Sequence, residues 1–158
     1  MKKKDALHGV NVAFIGAGAM GTAMIGGVLS RPASDASKIT ASDRHQECLD
    51  TVRHQFGIQT TLENTRAAKT AQVIVLSVKP QVLPGVLAEL RGHVQSGALV
   101  ISIVAGATIR CIATGLGHEA IVRTMPNTPA QVGEGMTVWT ATPEVSENQR
   151  TQAHALVA

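Results

Sequence analysis

The sequence predicts an α/β fold: a mostly parallel sheet covered by helices on both faces. Three observations carry this. Short apolar runs recur, V-N-V-A-F-I at 10–15 and V-I-V-L-S-V at 73–78 foremost. They are continuous rather than alternating, the pattern of strands buried on both faces. Helical patterns separate such runs at least five times, as in chains that wind back and forth across a parallel sheet.

Taken in order, Val10–Ile15 reads as a buried strand, and Met20, Ala23, Met24, Gly27 and Val28 then fall at helical spacing. Arg31-Pro32 ends that helix. Lys38–Asp43 reads as a second strand, followed by a helix from His45 to Phe56 that stops at Gly57. Ile58–Thr61 is a weak third strand and Asn64–Thr70 a short helix. Val73–Val78 is the strongest strand signal, and Pro80 is expected to open the next helix, because a first-turn position needs no amide hydrogen. Ala98–Val104 reads as a strand, Ala107–Leu116 as a helix, and Ala120–Arg123 and Gln131–Thr140 as the last strands. Thr142-Pro143-Glu144 has the cap, proline, acid order of a helix start. Val145, Gln149, Ala153 and Leu156 continue it as a stripe that stops at Ala158 in mid-pattern. The expectation is a truncated chain whose last helix has little to cover its apolar face.

Composition narrows the function classes. The 158 residues are 44% hydrophobic and 16% charged, which fits one domain with a full-sized core and excludes a disordered chain. Phe14, Phe56 and Trp139 are the only aromatics, so a stacking platform for single-stranded nucleic acid has almost nothing to be built from. The net charge of +3 equals the contribution of Lys2, Lys3 and Lys4, a weak argument for a polyanion partner. Gly9–Ser30 carries no charge and follows those lysines, which imitates an export signal or membrane span, yet six glycines, Asn11 and Thr22 interrupt it. A soluble protein with no nucleic-acid and no membrane partner is expected. Cys48 and Cys111 make neither a metal spacing nor a disulfide framework, which fits a reducing cytoplasm; no metal site is expected.

The chemistry-bearing motifs lie where strands end. Gly16-Ala17-Gly18-Ala19-Met20-Gly21 matches G-x-G-x-x-G, directly after a strand and opening a helix. In that context the first glycine allows the tight turn, the second lets the backbone approach a pyrophosphate, and the third lets helix and strand pack closely. The unpaired amides of the helix start hold the phosphates. Asp43 lies 22 residues beyond Gly21, where an acid would bind the ribose 2′-hydroxyl of NAD, while Arg44 would accept the 2′-phosphate of NADP. Both readings stand. Ser77-Val78-Lys79-Pro80 and Ile103-Val104-Ala105-Gly106 end the next two strands, on the edge that faces the ligand crevice; Lys79 either neutralises phosphate or stays a solvated charge. In Arg123–Ala130, two prolines fix φ on either side of Asn127-Thr128, a stiff loop that presents an amide and a hydroxyl. The six histidines are scattered without partners at useful spacing.

Together, G-A-G-A-M-G at 16–21, V-K-P at 78–80, I-V-A-G at 103–106 and R-T-M-P-N-T-P-A at 123–130 resemble the pyrroline-5-carboxylate reductase family in order and spacing. The match covers about residues 10–158, and M-P-N-T-P-A with V-G-E-G at 132–135 is its specific part. The resemblance implies a Rossmann-like, doubly wound fold. It implies reduction of 1-pyrroline-5-carboxylate to L-proline, in proline biosynthesis, by hydride from NADPH or NADH. By position, Ile15, Gly16, Ala17, Gly18, Ala19 and Met20 would cradle the pyrophosphate, with Asp43, Arg44 and Asn64 at the adenosine ribose. Ser77, Val78, Lys79, Pro80, Ile103, Val104 and Ala105 would line the nicotinamide half, and Met125, Pro126 and Asn127 would border the hydride-transfer site.

The family continues into a helical domain that makes the dimer and supplies substrate contacts, and nothing like it occurs in this chain. The catalytic residues and the homo-oligomer are therefore expected only in a full-length protein. The chain divides into a basic tail at 1–9 and a dinucleotide-binding domain at 10–158, expected to bind cofactor without turning over substrate. NADP(H) is favoured on Arg44, with NAD(H) the alternative. Two other functions compete: another NADP-dependent dehydrogenase of the same architecture, and a non-catalytic dinucleotide-binding module.

Overall fold

The computed structural model describes residues 5–32, 34–126 and 137–157. Its strands are β1 (Val12–Ile15), β2 (Ile39–Ser42), β3 (Gln59–Thr61), β4 (Val73–Leu76), β5 (Leu99–Ser102), β6 (Ile121–Pro126) and β7 (Thr137–Ala141). The helices are α1 (Ala19–Leu29), α2 (Gln46–Phe56), α3 (Asn64–Lys69), α4 (Leu83–Leu90), α5 (Ile109–Leu116) and α6 (Glu147–Val157). The strands form one sheet in the order β3-β2-β1-β4-β5-β6-β7. All neighbours pair in parallel except β7, which returns antiparallel along β6. This is the Rossmann-like α/β fold that the sequence predicts.

The continuous apolar strands feed two cores, one on each face. Val12 and Phe14 point into the first with Ile25 and Val28 of α1, Leu49 and Val52 of α2, and Ala153 and Leu156 of α6. Ala13 and Ile15 point into the second with Ala67 of α3, Val86, Leu87 and Leu90 of α4, and Ile112 and Leu116 of α5. All four β1 side chains are buried, because period-two alternation serves two apolar layers instead of one.

Four expectations need correction. The buried face of α1 is Gly21, Ile25 and Val28, not the stripe through Met20, Met24 and Gly27. Gly21 sets the rotation: a Cβ there would lie 2.5 Å from the Gly16 carbonyl oxygen, so this residue has to face the sheet. Pro80 does not open α4; the helix begins at Leu83, with Pro84 in its first turn. Nor does Thr142 cap α6. Its hydroxyl donates to the Glu119 carbonyl at 2.7 Å and accepts from the Ile121 amide, while Ser146 and Gln149 form a reciprocal capping box. The face of α6 is covered: Ala153 is fully buried and Leu156 is 5% exposed.

Residues 5–9 dock on the domain. Leu7 packs against the first core, and Asp5 lies 3.7 Å from Arg31.

Candidate functional site

Strand register builds the site. Ile15 lies level with Ser42 of β2 and Leu76 of β4, Leu76 with Ser102 of β5, and Ser102 with Arg123 of β6. The segments that follow, from Gly16, Asp43, Ser77 and Ile103, therefore leave the sheet side by side on one edge. The chain winds outward in one direction through β2 and β3 and in the other through β4, β5 and β6. A crevice forms at that switch point, beside β1.

The glycine loop fills it with main chain. Gly16 has φ +109°, and a Cβ on it would sit 2.6 Å from the Ser77 carbonyl oxygen. Only glycine fits there. The Ser77 hydroxyl donates to the Gly16 carbonyl at 2.8 Å, and the Gly16 amide donates to the Ser42 carbonyl at 2.8 Å, so the turn is tied to both flanking strands. Gly18 differs: φ is −77° and a built Cβ meets nothing within 4 Å. Sterics of the protein do not require a glycine at this point; the space above it is open.

Thr22 is the first amide of α1 to reach back to a carbonyl, that of Gly18. The amides of Ala19, Met20 and Gly21 precede it and have no carbonyl within the helix. No side chain caps Gly18 and no acid stands in the first turn, so the positive end of the helix is uncompensated. An open glycine, free amides and a bare helix terminus make an anion seat.

At the β2 side, Asp43 is half-buried and its carboxylate is engaged. Oδ2 accepts from the Ala17 amide at 2.9 Å and Oδ1 from the His45 amide at 2.8 Å. Arg44 beside it is exposed. Asn64 opens α3, accepts from the Ser42 hydroxyl at 2.7 Å and donates to Glu89 at 2.9 Å. These three expected ribose residues share the end of β2.

On the other side, Lys79 and Pro80 are exposed beyond β4, and the Val104 amide donates to the buried Ser102 hydroxyl at 3.2 Å. An apolar groove of about 950 Å³ between α4 and α5 has Pro80, Val104 and Ala105 on its lining. Met125 stands two residues past Arg123 on β6 and is 51% exposed, one of two large apolar side chains that open to solvent among the described residues. Asn127 and the rest of the N-T-P-A and V-G-E-G segments lie outside the described residues.

Sequence reasoning passed over two neighbours. Arg123 Nε and the Thr124 hydroxyl are buried without a partner among the described residues. Leaving such groups unsatisfied costs about 1–3 kcal/mol each, so their partners must come from outside those residues. The signal was present: I-V-R-T-M places a cation within an otherwise apolar strand.

Fold and crevice together define a Rossmann-like domain with a glycine-loop anion seat at its switch point. The chain belongs to the family described as NADP oxidoreductase, coenzyme F420-dependent, whose model matches residues 11–106. It is 35% identical over 147 residues to a pyrroline-5-carboxylate reductase from Synechocystis sp., covering 93% of this chain and 55% of that one. Among solved structures it is similar to a pyrroline-5-carboxylate reductase from Coxiella burnetii (TM-score 0.89, 34% identity, 94% of this chain and 55% of that one). It is also similar to a Plasmodium falciparum pyrroline carboxylate reductase with NADP bound (TM-score 0.82, 25% identity, 95% and 55%). The chain thus spans about half the length of the relatives it matches.

Proposed function

We propose that this chain is the cofactor-binding half of an NADP(H)-dependent oxidoreductase that reduces 1-pyrroline-5-carboxylate to L-proline. The open approach at Gly18, framed by two glycines that the fold itself requires, is the observation that carries it: a pyrophosphate fits where the protein has left room. Similarity to reductases of that name supports the substrate.

On this reading Ile15 to Met20 seat the pyrophosphate through main-chain amides, and Asp43, Arg44 and Asn64 frame the adenosine ribose. Ser77 to Pro80 and Ile103 to Ala105 line the nicotinamide half, with Met125 and Pro126 beside the imine. Residues from 10 onward form the dinucleotide-binding unit. A bound nicotinamide supplies a hydride for the imine carbon, and the ring nitrogen takes a proton. The chain's own residues orient the two reactants and keep water out, and such positioning can contribute ~7–11 kcal/mol of the barrier. Two free thiols, Cys48 and Cys111, fit a reducing cytoplasm. No helix among the described residues is long and apolar enough to cross a membrane.

The test is calorimetric titration of the chain with NADPH and NADH. NADPH oxidation is then assayed with 1-pyrroline-5-carboxylate and, in parallel, with 2-oxo acids. Binding with turnover of the imine alone supports the proposal. Turnover of oxo acids instead makes the protein a different dehydrogenase, and failure to bind either dinucleotide removes the cofactor reading.

A further inference from the structure

We propose that Asp43 is a positioning residue for the cofactor, holding the glycine loop in place for the pyrophosphate rather than reading the ribose. This deepens the function proposed above and rests on it. An acid just past the second strand of such a fold ordinarily offers its carboxylate to a ribose hydroxyl. Here both oxygens are turned onto the chain. One accepts from Ala17, inside the glycine loop, at 2.9 Å; the other accepts from His45, at the entry to α2, at 2.8 Å. The Asp43 amide in turn donates to the Thr61 carbonyl at 3.4 Å, which fixes the residue to the end of β3. The carboxylate therefore clamps the loop that receives the pyrophosphate to the turn that receives the ribose.

Side-chain chemistry makes the clamp specific. Two converging N–H donors need an acceptor at each end, which a carboxylate provides and an amide does not. Asparagine would aim its own NH₂ at one of the two donors. Glutamate keeps the charge and both acceptors, but one added carbon–carbon bond of ~1.5 Å is about half a hydrogen-bond length, too much for both contacts to survive. With its oxygens drawn toward Ala17 and His45, Asp43 leaves exposed Arg44 as the charge that an incoming 2′-phosphate meets.

The experiment titrates the 158-residue chain, Asp43→Glu and Asp43→Asn with NADPH, NADH and adenosine 2′-monophosphate. The last ligand carries the ribose phosphate but no pyrophosphate. The expected result is that Asp43→Glu, with charge unchanged, weakens NADPH and NADH by the same factor, at least about tenfold, as the loss of a charge-assisted hydrogen bond requires. Asp43→Asn weakens both likewise, and adenosine 2′-monophosphate binds all three proteins equally. A loss confined to NADH would make Asp43 the ribose reader and overturn the proposal. Equal loss of all three ligands with a lowered melting temperature would reduce Asp43 to a residue of the fold and overturn it too, as would unchanged affinities. If the parent chain binds none of the ligands, the proposed function falls first and the clamp with it.

Discussion

Gly16 and Gly18 are two residues apart in one motif, yet the structure assigns them opposite consequences. A side chain at Gly16 meets φ +109° and a backbone oxygen at 2.6 Å. The conformational strain costs roughly 1–3 kcal/mol. Relief by backbone movement disturbs the Ser42 and Ser77 hydrogen bonds, each with a net contribution of about 0.5–1.5 kcal/mol. Gly16→Ala should thus lose roughly 2–5 kcal/mol, a large share of the ~5–15 kcal/mol that holds a domain folded. At about 2–4 °C per kcal/mol, its melting temperature falls by about 4–20 °C. A side chain at Gly18 meets open space, and the poorer helix cap costs only about 0.5–1.5 kcal/mol. Gly18→Val should therefore melt within a few degrees of the parent, about 6 °C at most. Its isopropyl group, however, occupies the pyrophosphate's approach. Losing two charge-assisted contacts of about 1.5–3 kcal/mol each weakens NADPH about a hundredfold or more. Differential scanning calorimetry reads the first effect and isothermal titration the second. Unchanged NADPH affinity in Gly18→Val, or a Gly16→Ala protein as stable as the parent, would refute the division of labour within the loop.

Arg44→Ala should erase most of a preference for NADPH over NADH, roughly ten- to a hundredfold in the ratio of dissociation constants; tighter NADH binding by the parent chain would show that Arg44 does not set the choice. Ser77→Ala removes the bond to the Gly16 carbonyl and should lower stability by about 0.5–1.5 kcal/mol, read as a fall in urea midpoint with unchanged slope. The Ser37 hydroxyl and then the Ser37 amide hold the Asp35 carboxyl below the usual carboxylate range. A depressed carboxyl contributes stability above its unfolded-state pKa and loses it as pH falls through the folded value, so NMR titration should find Asp35 ionised to lower pH than in Ser37→Ala.

Legibility in the sequence followed the range of the interaction. Gly57 ends α2 in the left-handed conformation that its position announces, and G-x-G-x-x-G falls where strand meets helix. Those are local signals. The rotation of α1 was not legible, because A-M-G-T-A-M-I-G-G-V-L is small or apolar all round and offers no unique stripe; the contact of Gly21 with Gly16 decides it. The start of α6 was legible but misread. Ser146 and Gln149 carry a capping box, and Thr142-Pro143 upstream imitates a stronger one while Thr142 in fact ties the start of β6. The destination of the Asp43 carboxylate could not be read locally, since Ala17 is 26 residues away. Arg123 and Thr124 went unnoticed because attention to an unusual loop drew the reading past the strand that leads into it.

These cases share a cause that also explains the character of the site. A parallel sheet delivers its strand ends to one edge, and β1, flanked by β2 and β4, stands where the chain winds away in both directions. What reaches the crevice first is main chain. Ile15 to Met20, Val78 and Ile103 to Ala105 are glycine or apolar, so whatever they recognise they recognise through amides and through the room they leave. The few polar side chains nearby are largely spent on that scaffold: Ser77 on Gly16, Asp43 on Ala17, Asn64 on Ser42. Arg44 and Lys79 are the charges left exposed at its two ends. A crevice of this kind is built to hold an extended anion in one orientation. That is what hydride transfer asks of the protein when the chemistry belongs to the cofactor.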